Sequence, residues 1–271
     1  MRGASVVEGL SSDGLSAVAD RHAHALRVPD FVDRRLAKDL SDWFASHPFR
    51  CNYATLRLSK QSPFQPSTTD RVGPVFSELI PFLRSPSSPE GARAILKYEG
   101  QRDRLICEYR SFLRGRESPI EKFHSVLSSI WPEGAILANF HGIFPYVGVA
   151  RIEGSSALDF SKDPHVDWLA SAVHPLSGQL SAIIYLEMPS RGGELEIWNV
   201  PQTRVASDLQ LDGTMKREDL PQPLTIAPKE GELIIINTRQ PHAVKGFSRG
   251  ARVVQTIFLG YQPRQPLILW S

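Results

Sequence analysis

Two histidines and one carboxylate are the residues of this chain best placed to do chemistry. His165 and Asp167 are separated only by Val166, and His242 follows the apolar run Leu233-Ile234-Ile235-Ile236-Asn237. In an extended segment residues i and i+2 point to one face, so the imidazole and the carboxylate project together. Two histidines and a carboxylate on one face of a metal ion leave coordination positions open, the arrangement suited to non-haem Fe(II) chemistry. The open positions accept a bidentate 2-oxo acid and then O₂. An isolated His-x-Asp is commonly a surface pair, but three features accompany this one. His242 falls at a fitting distance beyond a β-rich stretch, Arg252 follows it by ten residues, and the GGEL and GELIII segments supply hairpin turns between them.

Arg252 opens the run Val253-Val254-Gln255-Thr256-Ile257-Phe258. An arginine in a β-segment is usually exposed or paired with a protein carboxylate. Here the alternation turns it inward among apolar neighbours, where an unpaired charge is costly. The far carboxylate of a 2-oxo diacid neutralises such a guanidinium through a bidentate fork.

Other residues near these motifs carry two readings each. Trp168 follows Asp167 and, in an alternating strand, turns away from the metal into the core; the pocket wall is the other reading. Phe140 and His141 precede Arg151 and either line the pocket or pack in a turn. Tyr185 could reach the cosubstrate with its hydroxyl, although a buried tyrosine commonly finds some polar partner. Asn199 orients a ligand or simply makes a turn. His174, beside Pro175, reads as a solvated loop residue. His22, His24, His47 and His124 show no pairing that suggests a second metal.

The elements that position these residues fall into two textures. Up to Trp131-Pro132 the chain reads helical. Asp30 is a candidate cap for a helix carrying Phe31, Leu36, Leu40, Trp43 and Phe44. A second helix is expected to carry Val72, Phe76, Leu79, Ile80 and Leu83. Ser88-Pro89-Glu90 and Ser118-Pro119-Ile120-Glu121 open a third and a fourth, with proline at the first helical position and an acid in the first turn. Beyond Pro132, strands are expected at 135–139, 145–152, 164–168, 180–187, 194–200, 223–227, 232–237, 241–246 and 252–260, with turns at Gly192-Gly193, 228–231 and Arg249-Gly250. Segment 201–222 is polar, without a clear strand pattern, and reads as a lid or binding loop.

The expected fold class is α+β: a double-stranded β-helix (jelly-roll, cupin-like) core at 133–271 with supporting helices at 26–132. Residues 26–271 then form one domain, preceded by a flexible arm at 1–25. The chain has 271 residues with 31 basic and 29 acidic side chains, formally +2. So balanced a charge speaks for neither nucleic acid nor an anionic membrane as partner. No apolar run approaches the roughly 18 residues of a membrane span, and the first twenty residues lack the apolar core of a signal peptide. Two cysteines, Cys51 and Cys107, match no zinc pattern and fit a reduced, cytoplasmic protein.

Residues 165–271 resemble the 2-oxoglutarate/Fe(II)-dependent oxygenase superfamily. Within it, LSAIIYLEMPSRGGELEIWNV, GELIIIN before His242, Arg252 and the C-terminal Leu269-Trp270-Ser271 look like the carrier-independent, welwitindolinone-type alkaloid halogenases. The resemblance implies Fe(II), 2-oxoglutarate and O₂ as cofactor and cosubstrates, His165, Asp167 and His242 as ligands, and Arg252 as 2-oxoglutarate anchor. It also implies Arg151 as a second contact, and a small-molecule substrate of secondary metabolism. Those halogenases carry glycine where this chain has Asp167, so a position that would take chloride is filled here. The resemblance therefore implies hydroxylation, or else desaturation or ring closure. An oxygenase acting on a peptide or protein and a non-catalytic metal-binding barrel are the rival readings.

Overall fold

The apolar run at 233–237 shows how the core is built. Leu233 and Ile235 point to one side of their sheet and Ile234 and Ile236 to the other, and all four are buried. A strand covered on both faces reads as a continuous apolar run rather than an alternating one. In the computed structural model, which describes residues 5–53, 69–154, 164–169, 171, 173–200 and 215–271 and the backbone of 55–56 and 64–65, this strand lies within a ten-stranded sheet.

In chain order the strands are β1 (Val6–Glu8), β2 (Ala25–Val28), β3 (Cys51–Asn52), β4 (Thr55–Leu56), β5 (Phe64–Gln65), β6 (Thr69–Val72), β7 (Ala135–Leu137), β8 (Val149–Gly154), β9 (Gly178–Glu187), β10 (Leu195–Ile197), β11 (Leu224–Ile226), β12 (Leu233–Asn237), β13 (His242–Val244), β14 (Ala251–Tyr261) and β15 (Leu267–Trp270). The helices are α1 (Ser12–Ala19), α2 (Arg34–Ala45), α3 (Pro89–Leu113) and α4 (Pro119–Ile130). The large sheet runs β1-β2-β12-β9-β14-β8-β6-β3, with β15 joining β14 to β7, and a smaller sheet runs β11-β10-β13. Together they form the mixed α+β architecture of a double-stranded β-helix core.

The two faces of the large sheet have different neighbours. The outer face, with Leu180, Ile184, Leu186, Val253, Ile257 and Leu259, packs against Leu15 and Val18 of α1, Leu40 and Phe44 of α2 and Phe123 of α4. The inner face places Ile183, Tyr185, Ile234, Ile236 and Val254 against Leu195, Ile197 and Ile226 of the small sheet.

Several expectations are corrected. Residues within 1–25 do not form a free arm: β1 pairs in parallel with β2, and α1 buries Leu15 and Val18 against β12, β9 and β2. The stretch 26–132 is not purely helical, since β2, β3 and β6 lie in the large sheet. Tertiary pairing overrides the helical texture there. Val72 ends strand β6, and only Phe76–Phe82 is helical, as a 3₁₀ helix that contains Pro81. The expected strand 164–168 is reduced to one bridge at His165. Of segment 201–222, residues 201–214 lie outside the described residues. Beyond them Met215 and Leu220 pack on Trp198 and Ala243 of the small sheet.

The two Ser-Pro openings are found as read: Ser88 Oγ accepts from Gly91 N and Ser118 Oγ from Glu121 N. The cap of α2 is Asp33 rather than Asp30. Its Oδ1 accepts from Arg35 N at 3.0 Å and Leu36 N at 3.1 Å, while Asp30 sits in a turn with φ of 49°. Asp33→Ala is expected to cost about 1 kcal/mol of stability, read as a lowered urea midpoint at constant slope, with Asp30→Ala costing less.

Candidate metal centre

The site forms where the small sheet meets the segment after residue 163. His242 starts β13 and stands opposite Ile197 of β10. Ile197 belongs to the inner core, and residues directly opposite in an antiparallel pair share a face, so His242 points inward. The segment carrying His165 lies alongside it. His165 N donates to His242 O at 3.1 Å, His242 N donates back to His165 O at 2.9 Å, and Asp167 N donates to Thr238 O at 2.9 Å. A further tether, Leu169 N to Gln179 Oε1 at 2.6 Å, holds the end of the segment.

These bonds bring the three predicted side chains together. One ligand atom from each of His165, Asp167 and His242 lies within 4.8 Å of the others, and no other such group of three or more occurs among the described residues. The two imidazole centroids are 4.5 Å apart, and His242 Nε2 stands 3.6 Å from Asp167 Oδ2. His242 Nδ1 lies 3.0 Å from Gln240 O. A proton held on Nδ1 by that carbonyl leaves the Nε2 lone pair for a metal. Burial by itself favours the neutral acid at Asp167. The contact with His242 and the nearby His165 and Arg151 outweigh it and hold the carboxyl well below the usual carboxylate range. His165 is exposed, Asp167 partly buried and His242 buried, so the cluster faces a mouth open to solvent.

Deeper in, the inner face of β6, β8, β14 and β9 carries a polar patch. Thr69 faces Glu153 and Arg71 faces Arg151 across β6 and β8, and Glu153 faces Arg252 and Arg151 faces Val254 across β8 and β14. A bulge in the pairing of β14 with β9, between Val253 and Val254, sets Val254 opposite Tyr185. The Arg252 guanidinium lies 5.3 Å from the Tyr185 ring centroid and donates from Nη1 to Glu153 Oε2 at 3.2 Å. Arg151 stacks over Tyr53 at 4.9 Å. Arg71 is held by Glu78. Burial lowers the Arg252 pKa, but Glu153 and Tyr185 carry it above its ordinary value.

The donor set fits the group it was read for. Two imidazoles and a carboxylate leaving open positions suit Fe(II). The buried Nε atoms of Arg151 and Arg252 and the Tyr185 hydroxyl have no hydrogen-bond partner among the described residues. Buried donors are rarely left so, and an acidic oxo acid would satisfy them. Glu153 and the Gln240 carbonyl are the two members of this site that sequence reasoning missed.

The remaining candidates divide. Phe140 is buried between Phe76 and Trp270 in a satellite core, so it packs the fold rather than lining a cleft. His141 sits exposed at a turn with φ of 56°, and Asn199 is exposed after β10. His174 is half-buried, its ring 5.7 Å from that of Phe140. Trp168, expected in the core, is 56% exposed beside the triad, because the segment that carries it pairs on one side only. A recess of about 1450 Å³ between α2 and α3, lined in part by Trp43 and Phe112, involves none of the triad. Cys51 and Cys107 are both free and exposed. No helix among the described residues is long and apolar enough to cross a membrane.

The model of the 2OG-Fe(II) oxygenase superfamily matches residues 149–260, the stretch from β8 through β14 that holds the triad and both inward arginines. Fe(II), 2-oxoglutarate and O₂ are what that superfamily requires, as the residues predicted. No curated protein matches the chain in sequence. In structure the chain is similar to an N-substituted L-amino acid dioxygenase from Burkholderia ambifaria AMMD, solved with alpha-KG. The TM-score is 0.51 and the identity 12%, over 95% of this chain and 90% of that one. It is also similar to SnoN, the non-heme alpha ketoglutarate dependent epimerase from nogalamycin biosynthesis. That TM-score is 0.47 and the identity 13%, over 95% of this chain and 98% of that one. At such identities the first likeness speaks for the fold, and the second adds nothing to it.

Proposed function

We propose that the protein is a 2-oxoglutarate-dependent dioxygenase that hydroxylates an unactivated C–H of a small molecule, in secondary metabolism. The observation that carries the reading is the meeting of His165, Asp167 and His242 at the mouth of a barrel whose wall presents Arg151 and Arg252 with unpartnered donors. Bound at the triad, Fe(II) supplies the reduction of O₂ that accompanies conversion of 2-oxoglutarate to succinate and CO₂.

The chain's own groups do the positioning. Gln240 O fixes the His242 tautomer, so that its Nε2 presents a lone pair. Arg151 helps to keep Asp167 ionised and able to occupy a coordination position. That occupation supports hydroxylation over halogenation, which needs the position free. Arg252 and Arg151 receive the far carboxylate of the cosubstrate, and Tyr185 supports Arg252 from beneath. Trp168, exposed beside the ligands, offers an apolar face at the mouth where substrate docks.

The test is O₂- and Fe(II)-dependent succinate release from 2-oxoglutarate, with mass analysis of a screened small-molecule set. A product heavier by one oxygen supports hydroxylation. Loss of two hydrogens moves the reading to desaturation or ring closure, and a modified peptide moves it to a macromolecular substrate. Trp168→Ala is expected to raise the KM of that substrate about 2- to 10-fold and to leave the 2-oxoglutarate requirement in place, as steady-state kinetics would show.

A further inference from the structure

Arg252 is already paired. Its guanidinium donates to Glu153 Oε2 at 3.2 Å, and both side chains are almost wholly buried, 4% and 1% exposed. The neighbouring strand braces the carboxylate: Thr69 Oγ1 donates to Glu153 Oε1 at 3.2 Å. The pairing follows from register, since Thr69, Glu153 and Arg252 stand directly opposite one another across β6, β8 and β14. Arg252 Nε, on another edge of the same guanidinium, is buried and has no hydrogen-bond partner among the described residues. A protein carboxylate thus holds one edge of the cation that the proposed function gives to the cosubstrate.

Two physical consequences oppose each other. A buried guanidinium without a counter-charge is costly, so Glu153 supports the fold before cosubstrate binds. Once a second carboxylate arrives at Nε, two anions share one cation at close range in a medium of low effective dielectric, which disfavours binding. Arg71 cannot relieve this, being held by Glu78. Arg151 makes no ion pair among the described residues and faces the same interior, so it supplies the added positive charge that makes binding of the far carboxylate favourable.

We infer that Glu153 is a resident counter-charge that competes with the cosubstrate's far carboxylate for Arg252, and so sets the 2-oxoglutarate affinity of this site below what its two arginines would give alone. It acts through Arg252 and is a positioning residue, not a catalytic one. The inference rests on the proposed function and concerns only the distal end of the cosubstrate.

The test measures equilibrium binding to the anaerobic, Fe(II)-loaded protein by calorimetry, comparing 2-oxoglutarate with 2-oxopentanoate, which keeps the chelating end and lacks the far carboxylate. Glu153→Gln keeps the shape and the acceptor for Thr69 and removes the charge. It is expected to bind 2-oxoglutarate about 10-fold more tightly and 2-oxopentanoate as wild type does. Glu153→Asp, which withdraws the carboxylate by one methylene, is expected to move the same way by less, and it serves if the glutamine variant fails to fold by circular dichroism. Unchanged or weaker 2-oxoglutarate binding in the variants, or an equal change for both acids, overturns the inference while leaving the proposed function intact. A wild-type protein that binds neither acid overturns both.

Discussion

An Asp167→Ala protein is expected to fold, to lose Fe(II) affinity by more than about 100-fold and to release no succinate above background. Folding survives because the side chain is partly exposed and the segment is held by backbone bonds, Asp167 N to Thr238 O and the paired bonds between His165 and His242, which alanine retains. The loss of affinity exceeds the 10- to 100-fold typical of losing a group that merely orients a ligand, since the carboxylate is one of three side chains that converge here among the described residues. Metal analysis after dialysis against a weak chelator, and succinate assays at saturating 2-oxoglutarate, check it. Full activity in this variant would remove Asp167 from the site.

Arg252→Ala carries the second large effect, in two separable parts. It removes the guanidinium that pairs with Glu153, a side chain 1% exposed. Breaking a buried pair from one side costs about 3–5 kcal/mol, so the thermal midpoint should fall sharply. Replacing both members, Arg252→Leu with Glu153→Leu, should restore much of that stability, because it leaves no charge behind. The other part is functional: loss of a charge-assisted contact worth about 1.5–3 kcal/mol raises the 2-oxoglutarate requirement about 10- to 100-fold while the Fe(II) requirement changes little. The double variant separates the two, since it should be stable and still require excess 2-oxoglutarate. If it needs no more than wild type, Arg151 alone anchors the cosubstrate.

What was legible in the sequence follows from the range of each signal. The triad could be read because i and i+2 geometry is local and the apolar run before His242 is unmistakable. Helices α3 and α4 could be read because their openings, Ser88-Pro89-Glu90 and Ser118-Pro119-Ile120-Glu121, put the cap, the proline and the acid within one turn. Strands β9, β12 and β14 stood out as long β-branched and apolar runs. Strand β2 did not, because four residues, Ala25–Val28, carry no period of their own and become a strand by pairing with β1 and β12. Thr69–Val72 was hidden in the same way: Val72 fits a helical stripe with Phe76 and Leu79, and pairing of the segment with β3 and β8 makes it extended. Trp168 was misplaced because alternation was assumed for a segment with a single bridge. Glu153 was invisible as a partner of Arg252, since 99 residues separate them and only strand order puts them face to face.

The central claim is that His165, Asp167 and His242 hold Fe(II) in a form that chelates 2-oxoglutarate. Anaerobic titration of metal-free protein with Fe(II) and then 2-oxoglutarate, followed in the visible region with His165→Ala as control, tests it most directly. A weak charge-transfer band that requires protein, iron and oxo acid together, and is missing in the variant, is the predicted result. No band in the wild-type protein, with no succinate formed on admitting air, would contradict the account and leave a barrel that binds metal without oxygenase chemistry.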